Sequence, residues 1–378
     1  MDFSFSEEQI MLRDLAREIL EQEVTQEFLR KIEKDPDWLG HEVWRKLAEA
    51  NLLGLAVPEE LGGMGFGIIE LCLLLQEVGR TVAPIPAYAT LVLAGLPIAE
   101  HGTPEQQKRW LEPMAAGKTF LSGAYLDAGS TNVADPATTA AGDGAGWSLN
   151  GVKRLVPAAH VAERILVPAA TPDGPCLFLV DPKADGVELT RQEITHCEPV
   201  FEMRLSGVSV GTDDLLGGDA KSGAAKIGRA FDCALTALAA TQLGVSEKAI
   251  DITVGYVSQR EQFGAPIGSF PPVQHRCADM YIDLDALRWT TWRSAWKISD
   301  HQAASRDAGV AKFWAAEAGS RIATGSQHLH GGAGVDRDYP LHRYFLWSKY
   351  LELTLGAAMP QLARLGRDMA QTGPQELQ

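Results

Sequence analysis

The apolar positions of this chain change their spacing twice. In the first third they recur every three to four residues, the period of one helix face. Leu12, Leu15, Ile19 and Leu20 follow Ser6, Glu7 and Glu8, which predicts an amphipathic helix capped by Ser6. The same spacing predicts helices over 44–53 and 68–78, joined by the glycine-rich loop VPEELGGMGFG at 57–67. Pro84 and Pro86 break the pattern that follows. In GTPEQQKRWLEPMAAG, Thr103 reads as an N-cap with Pro104 at the first helical position. From 119 to 222 the texture becomes short β-rich runs, WSLNGVKRLV, ERILVPAA and CLFLV, separated by Gly, Pro and Asp. Helical spacing then returns over 224–258, 273–299, 303–329 and 341–369, which predicts four long antiparallel helices in a bundle.

The fold class is therefore α+β and mainly α. The expected domains are a helical one at 1–118, a β-barrel-like one at 119–222 and a four-helix bundle at 223–372, with a frayed tail at 373–378. A chain of 378 residues suits such a division. The formal net charge of −15 argues against nucleic acid and anionic membranes as partners, yet leaves room for a locally basic pocket that takes an anion. No stretch is long and apolar enough to span a bilayer, and the first twenty residues carry acids where a signal peptide would be apolar. The five cysteines, Cys72, Cys176, Cys197, Cys233 and Cys277, show no CxxC spacing. They read as reduced thiols of a cytoplasmic protein, with no metal site.

Seven segments resemble the FAD-dependent acyl-CoA dehydrogenases, and they occur in that family's order: FSEEQIMLRDLAREIL, LAEANLLGLAVPEELGGMGFGIIE with LLLQEVGR, GTPEQQKRWLEPMAAGK, GVKRLVPAAHVAERILV, QREQFGAPIGSF, VQHRCADM and HGGAGVDRDYPLHRYF. The resemblance covers nearly the whole chain. It implies the same three-part fold, a tetramer built as a dimer of dimers, and α,β-dehydrogenation of an acyl-CoA with electron-transfer flavoprotein as acceptor. In that reaction a base removes the α-proton while the β-hydrogen leaves as hydride to the flavin.

Carried over residue by residue, the resemblance splits the site in two. Arg260, Phe263 and Gly264 match the family's Arg-x-x-Phe-Gly, whose arginine binds the FAD pyrophosphate of the neighbouring subunit. Gly331 and Gly332 match its Gln-x-x-Gly-Gly turn, with His328 at the glutamine position and Gln327 beside it. The chain's own flavin cup departs from the pattern. AYLDAGSTN at 124–132 lacks the family's Thr-Glu-Pro, and Pro157 stands where a flavin-binding threonine is expected. Ala357 and Met359 replace two further FAD contacts. Both family positions for the catalytic glutamate are apolar: Leu355, and Ala234 thirty residues before Gly264. Thr241, on the same helix face, is not acidic either. Asp232 is about 200° around the helix from Ala234, and Glu352 lies nearly a turn before Leu355. Both read as solvated or ion-paired carboxylates.

What is kept serves a neighbour's FAD, and what is lost is the chain's own cup and base. The pattern resembles one subunit of the heteromeric α2β2 dehydrogenases of steroid and bile-acid side-chain degradation, and DYPLHRYFLW with YLELTLG carries that likeness most directly. It implies a second dehydrogenase-like subunit and a bulky acyl group. The alternatives are a self-sufficient homotetramer using Asp232 or Glu352 as base, a flavin monooxygenase on the same fold, and a non-catalytic scaffold for CoA esters or a partner protein. Trp289, Trp292 and Trp296 share a helix face with i, i+3, i+7 spacing. They read as core or subunit interface, and less readily as a wall for the acyl group.

Overall fold

Ser6 caps the first helix, α1 (Glu7–Glu23), through a capping box with Gln9. The computed structural model describes residues 4–130, 132–142 and 146–372; the expected tail at 373–378 and Thr131 of the AYLDAGSTN stretch lie outside the described residues. A short α2 (Gln26–Ile32), capped by Thr25, and α3 (His41–Glu49) follow. The predicted helix over 44–53 ends early, because Asn51 turns left-handed (φ +58°) and the chain continues as a single 3-10 turn. The helix α4 (Ile68–Thr81) is buried along most of its length. After Pro84 and Pro86 the chain forms a wide π-helical stretch, Tyr88–Gly95, that runs into α5 (Leu96–His101). Next comes α6 (Pro104–Ala115), with Thr103 as its cap and Pro104 at the first position.

A seven-stranded sheet follows: β1 (Phe120–Gly123), β2 (Thr139–Gly142), β3 (Gly146–Pro157), β4 (Ala162–Thr171), β5 (Gly174–Val180), β6 (Val187–Gln192) and β7 (Val200–Gly211). The strand order is β1-β4-β2-β3-β7-β6, with β5 paired to β4, and the sheet encloses its own apolar core around Phe178, Leu149 and Met203. The bundle is α7 (Gly223–Gln259), α8 (Pro271–Ser299), α9 (Ser305–His330), α10 (Leu341–Leu353) and α11 (Ala358–Thr372).

The chain's fourth long helix, expected as one piece over 341–369, is two. Leu355 (φ +54°) and Gly356 (φ +97°) both turn left-handed between α10 and α11, and the Gln361 side chain holds the break by donating to the carbonyls of Leu355 (3.0 Å) and Gly356 (3.2 Å). Apolar spacing continues through the break, so periodicity could not reveal it.

The helical domain and the bundle share one continuous core. Their closest crossing is α4 on α7, where a Cβ on Gly244 would stand 1.8 Å from the Gln76 carbonyl oxygen and one on Gly79 2.1 Å from that of Thr241. This crossing fixes α7, and with it Asp232 and Ala234, against the N-terminal half. Among the described residues no helix is long and apolar enough to cross a membrane, and no cluster of His, Cys, Asp and Glu could hold a metal.

Candidate functional site

The two positions where the family carries its base are linked through one residue, Tyr88. Ala234 is fully buried on α7, and its carbonyl accepts a hydrogen bond from the Tyr88 hydroxyl at 3.3 Å. Leu355, in the α10–α11 break, is 8% exposed. Tyr88 and Leu355 line the same small cavity, whose other walls include Tyr125, Pro157 and Tyr350. It measures about 20 Å³ and contains no carboxylate. One or two waters fill such a space, whereas small-ligand sites run to roughly 300–1,000 Å³. Burial pushes the hydroxyls of Tyr88, Tyr125 and Tyr350 far above the ordinary phenol range, so none serves as a base near neutrality.

The displaced carboxylates are held elsewhere. Asp232 is buried and accepts from Ser305 Oγ at 2.5 Å, with Arg364 Nη1 3.7 Å away. Burial raises its pKa, against the pull of Ser305 and Arg364. Its cavity, about 180 Å³, shares Leu355 as a wall, so Asp232 approaches the site more closely than its helix angle alone suggests. Glu352 pairs with Lys349 Nζ at 2.8 Å. Beneath it, the fully buried Lys312 donates to the carbonyls of Leu351 and Glu352, both at 2.9 Å, and so caps α10 just ahead of the break. One acidic group near the cavity was invisible in the sequence: Glu198, which lies close enough to Tyr88 and Tyr350 to raise both hydroxyls further. His196 Nε2 holds its carboxylate at 3.0 Å.

On the flavin side, β3 ends at Pro157, which has no N–H to give. Its carbonyl already accepts from Ser122 Oγ at 2.5 Å. Beneath the cup, Lys153 and Asp127 form a buried ion pair at 2.9 Å, and burial draws the amine down to about 8. Asp127 also takes the N–H groups of Ala137 and Thr138 and the Thr138 hydroxyl, so its oxygens are spent on anchoring the loop. With 20 Å³ of room and no donor at 157, the chain's own cup does not fit a flavin ring.

The end of the bundle is different. At Arg260 α7 gives way to a tight hairpin. Arg260 N–H donates to Tyr256 (2.8 Å), its carbonyl accepts from Ile267 (2.8 Å), and Phe263 and Gly264 form the left-handed tip. Phe263 is 95% exposed at φ +53°, a costly conformation for a bulky residue. Tyr256 stacks on His330 at 4.2 Å, which brings the end of α9 to the hairpin. His330 Nδ1–H donates to the Ser326 carbonyl (2.8 Å) and Nε2 accepts from the Tyr339 hydroxyl (3.2 Å); burial lowers its pKa and keeps it neutral. The next residues are Gly331 (φ +59°, ψ −135°) and Gly332, and a Cβ on either would meet nothing within 4 Å. His328 is exposed, while Gln327 Oε1 is buried without a partner among the described residues. An exposed guanidinium, an exposed ring and an open glycine backbone fit the phosphate and adenosine portions of a dinucleotide.

Residues 6–118 match the family model for the acyl-CoA dehydrogenase N-terminal domain and residues 221–370 that for the C-terminal domain. The chain belongs to the acyl-CoA dehydrogenase family, whose enzymes depend on FAD. Among its relatives, the acyl-CoA dehydrogenase FadE27 of Mycobacterium tuberculosis (strain ATCC 25618 / H37Rv) is 39% identical, over 98% of this chain and 100% of its own length. Among solved structures, a variant of the Tcur3481-Tcur3483 steroid ACAD is 44% identical with a TM-score of 0.91, over 97% of this chain and 98% of its own. The ChsE4-ChsE5 complex from Mycobacterium tuberculosis is 38% identical with a TM-score of 0.92, over 99% and 100%.

Proposed function

We propose that this chain is one subunit of a heteromeric acyl-CoA dehydrogenase that introduces an α,β double bond into a CoA thioester with a bulky, steroid-like acyl group. The observation that carries this reading is the cavity of about 20 Å³ at Leu355, whose walls include three tyrosines and Pro157 and no carboxylate. When bound, FAD accepts the β-hydrogen as hydride. The base and the flavin cup are the partner's, and electron-transfer flavoprotein is the acceptor.

This chain's share is made at the bundle end. The Arg260 guanidinium would pair with the pyrophosphate of the partner-held cofactor. The exposed Phe263 ring would lie beside it, Gly331 and Gly332 would let the backbone come close, and His328, with Gln327 next to it, would offer a polar contact. The likeness to the Tcur3481-Tcur3483 steroid ACAD and to the ChsE4-ChsE5 complex supports the two-subunit assembly, and the acyl class rests on the first of these.

The test is expression alone and with a second dehydrogenase-like chain. Alone, the protein should carry little FAD and reduce no dye with any acyl-CoA. Together, the tetramer should hold FAD at half occupancy and be active. A yellow, active homotetramer, or full occupancy in the complex, contradicts the reading; a partner that binds without restoring activity points to a scaffold.

A further inference from the structure

Farther back along α10, a cavity of about 390 Å³ lies between that helix, α2 and the β6–β7 connection. Its volume falls within the range of small-molecule sites, roughly 300–1,000 Å³, and nothing in the dehydrogenation uses it. Trp38 and Trp347 form its aromatic walls, with ring centroids 6.2 Å apart and tilted by 31°. His196 meets both rings edge-on, at 5.6 and 5.1 Å, and stacks on Tyr350 at 4.0 Å. It is 4% exposed. Its Nε2 is engaged by Glu198, but Nδ1 is buried with no hydrogen-bond partner among the described residues. An unpaired buried nitrogen is costly unless something supplies its missing partner.

Two further features point the same way. Trp38 (φ +47°) and Cys197 (φ +72°) both line the cavity, and both hold left-handed backbone that residues with a Cβ adopt only under constraint, as at ligand clamps. The mouth is basic on a chain of net charge −15. Arg343 is consumed by Glu33 and Gln26, and Arg30 by Asp338, but Lys34 and Arg337 stand exposed at the rim.

We propose that this cavity binds a planar ring compound bearing an anionic group. The ring packs on the indoles of Trp38 and Trp347, and the anion faces Lys34 and Arg337. Two sources share this chemistry, a nucleotide monophosphate and an aromatic carboxylate. The test is calorimetric titration of the full chain with AMP and, separately, with 2-naphthoate. At least one should bind with a Kd below about 1 mM. The arm that binds names the anion. Arg337→Ala and Lys34→Ala alter exposed side chains and leave the fold intact, and each should weaken binding about tenfold. Failure of both probes at about 1 mM, or binding that neither substitution changes, overturns the proposal.

Discussion

The sharpest prediction comes from two adjacent glycines that the structure treats differently. Gly331 sits at φ +59°, ψ −135°, where a side chain is strained whatever the space around it, so Gly331→Ala should cost the isolated chain about 1–3 kcal/mol. Gly332 has no such backbone, and its Cβ would meet nothing within 4 Å. Gly332→Ala should therefore leave the isolated chain within about 0.5 kcal/mol of the original. In the complex, that methyl would stand where the partner's cofactor approaches. Overpacking a closed contact costs about 1–3 kcal/mol, or roughly 5- to 150-fold in FAD affinity. Chemical denaturation of the lone chain measures the first quantity. Flavin retained by the co-purified tetramer, titrated back with FAD, measures the second. If Gly332→Ala leaves the FAD affinity of the complex unchanged, the turn does not touch cofactor. If it destabilises the lone chain as much as Gly331→Ala, the turn belongs to the fold alone, and the argument for a site shared in trans fails.

Three other outcomes follow from the same geometry. Phe263→Ala removes a ring that makes almost no buried contact, so the melting temperature of the lone chain should stay put while FAD content of the complex falls; a fall in both would mean the hairpin is structural. Asp232→Asn should leave turnover of the complex within about twofold, since Ser305 and Arg364 already hold that carboxylate; a loss of about 10²–10⁴-fold would make it the base. Lys312 carries a folded pKa of about 7 against an ordinary 10.5, because burial disfavours its charged form. The folded chain sheds this proton first, so the burial penalty is full below pH 7 and is relieved as pH rises toward 10.5. Relative to Lys312→Met, the unaltered chain should gain about 1 kcal/mol between pH 7 and 8 by urea denaturation, and no gain would show the amine stays charged.

The order of helices, sheet and bundle could be read from apolar spacing, and α7 and α6 lie within a residue or two of their expected bounds, because long periodic runs and the Thr103-Pro104 cap are local signals. The α10–α11 break does not show in the apolar spacing, although Gly356 and Pro360 mark it locally; Gln361 reaching back to two carbonyls required three dimensions. The seven-residue α2 is too short for a period to show, and the π-helical Tyr88–Gly95 is apolar all round and has no face to read. The tryptophan stripe divided: Trp292 packs edge-on against Phe5 at 4.8 Å, while Trp289 is 52% exposed. The apolar residues at 234 and 355 could be read by position. Their convergence on Tyr88, and the approach of Glu198 and His196 from the β6–β7 connection, required three dimensions.

A phenylalanine held 95% in water on a left-handed hairpin tip has a consequence for the cell as well as for chemistry. If the proposed companion subunit covers it, that tip is a greasy handle on any copy made without the companion, open to clumping and to quality-control proteases. On the two-subunit reading, such a polypeptide does best when synthesised in step with its companion, and surplus copies of it are waste.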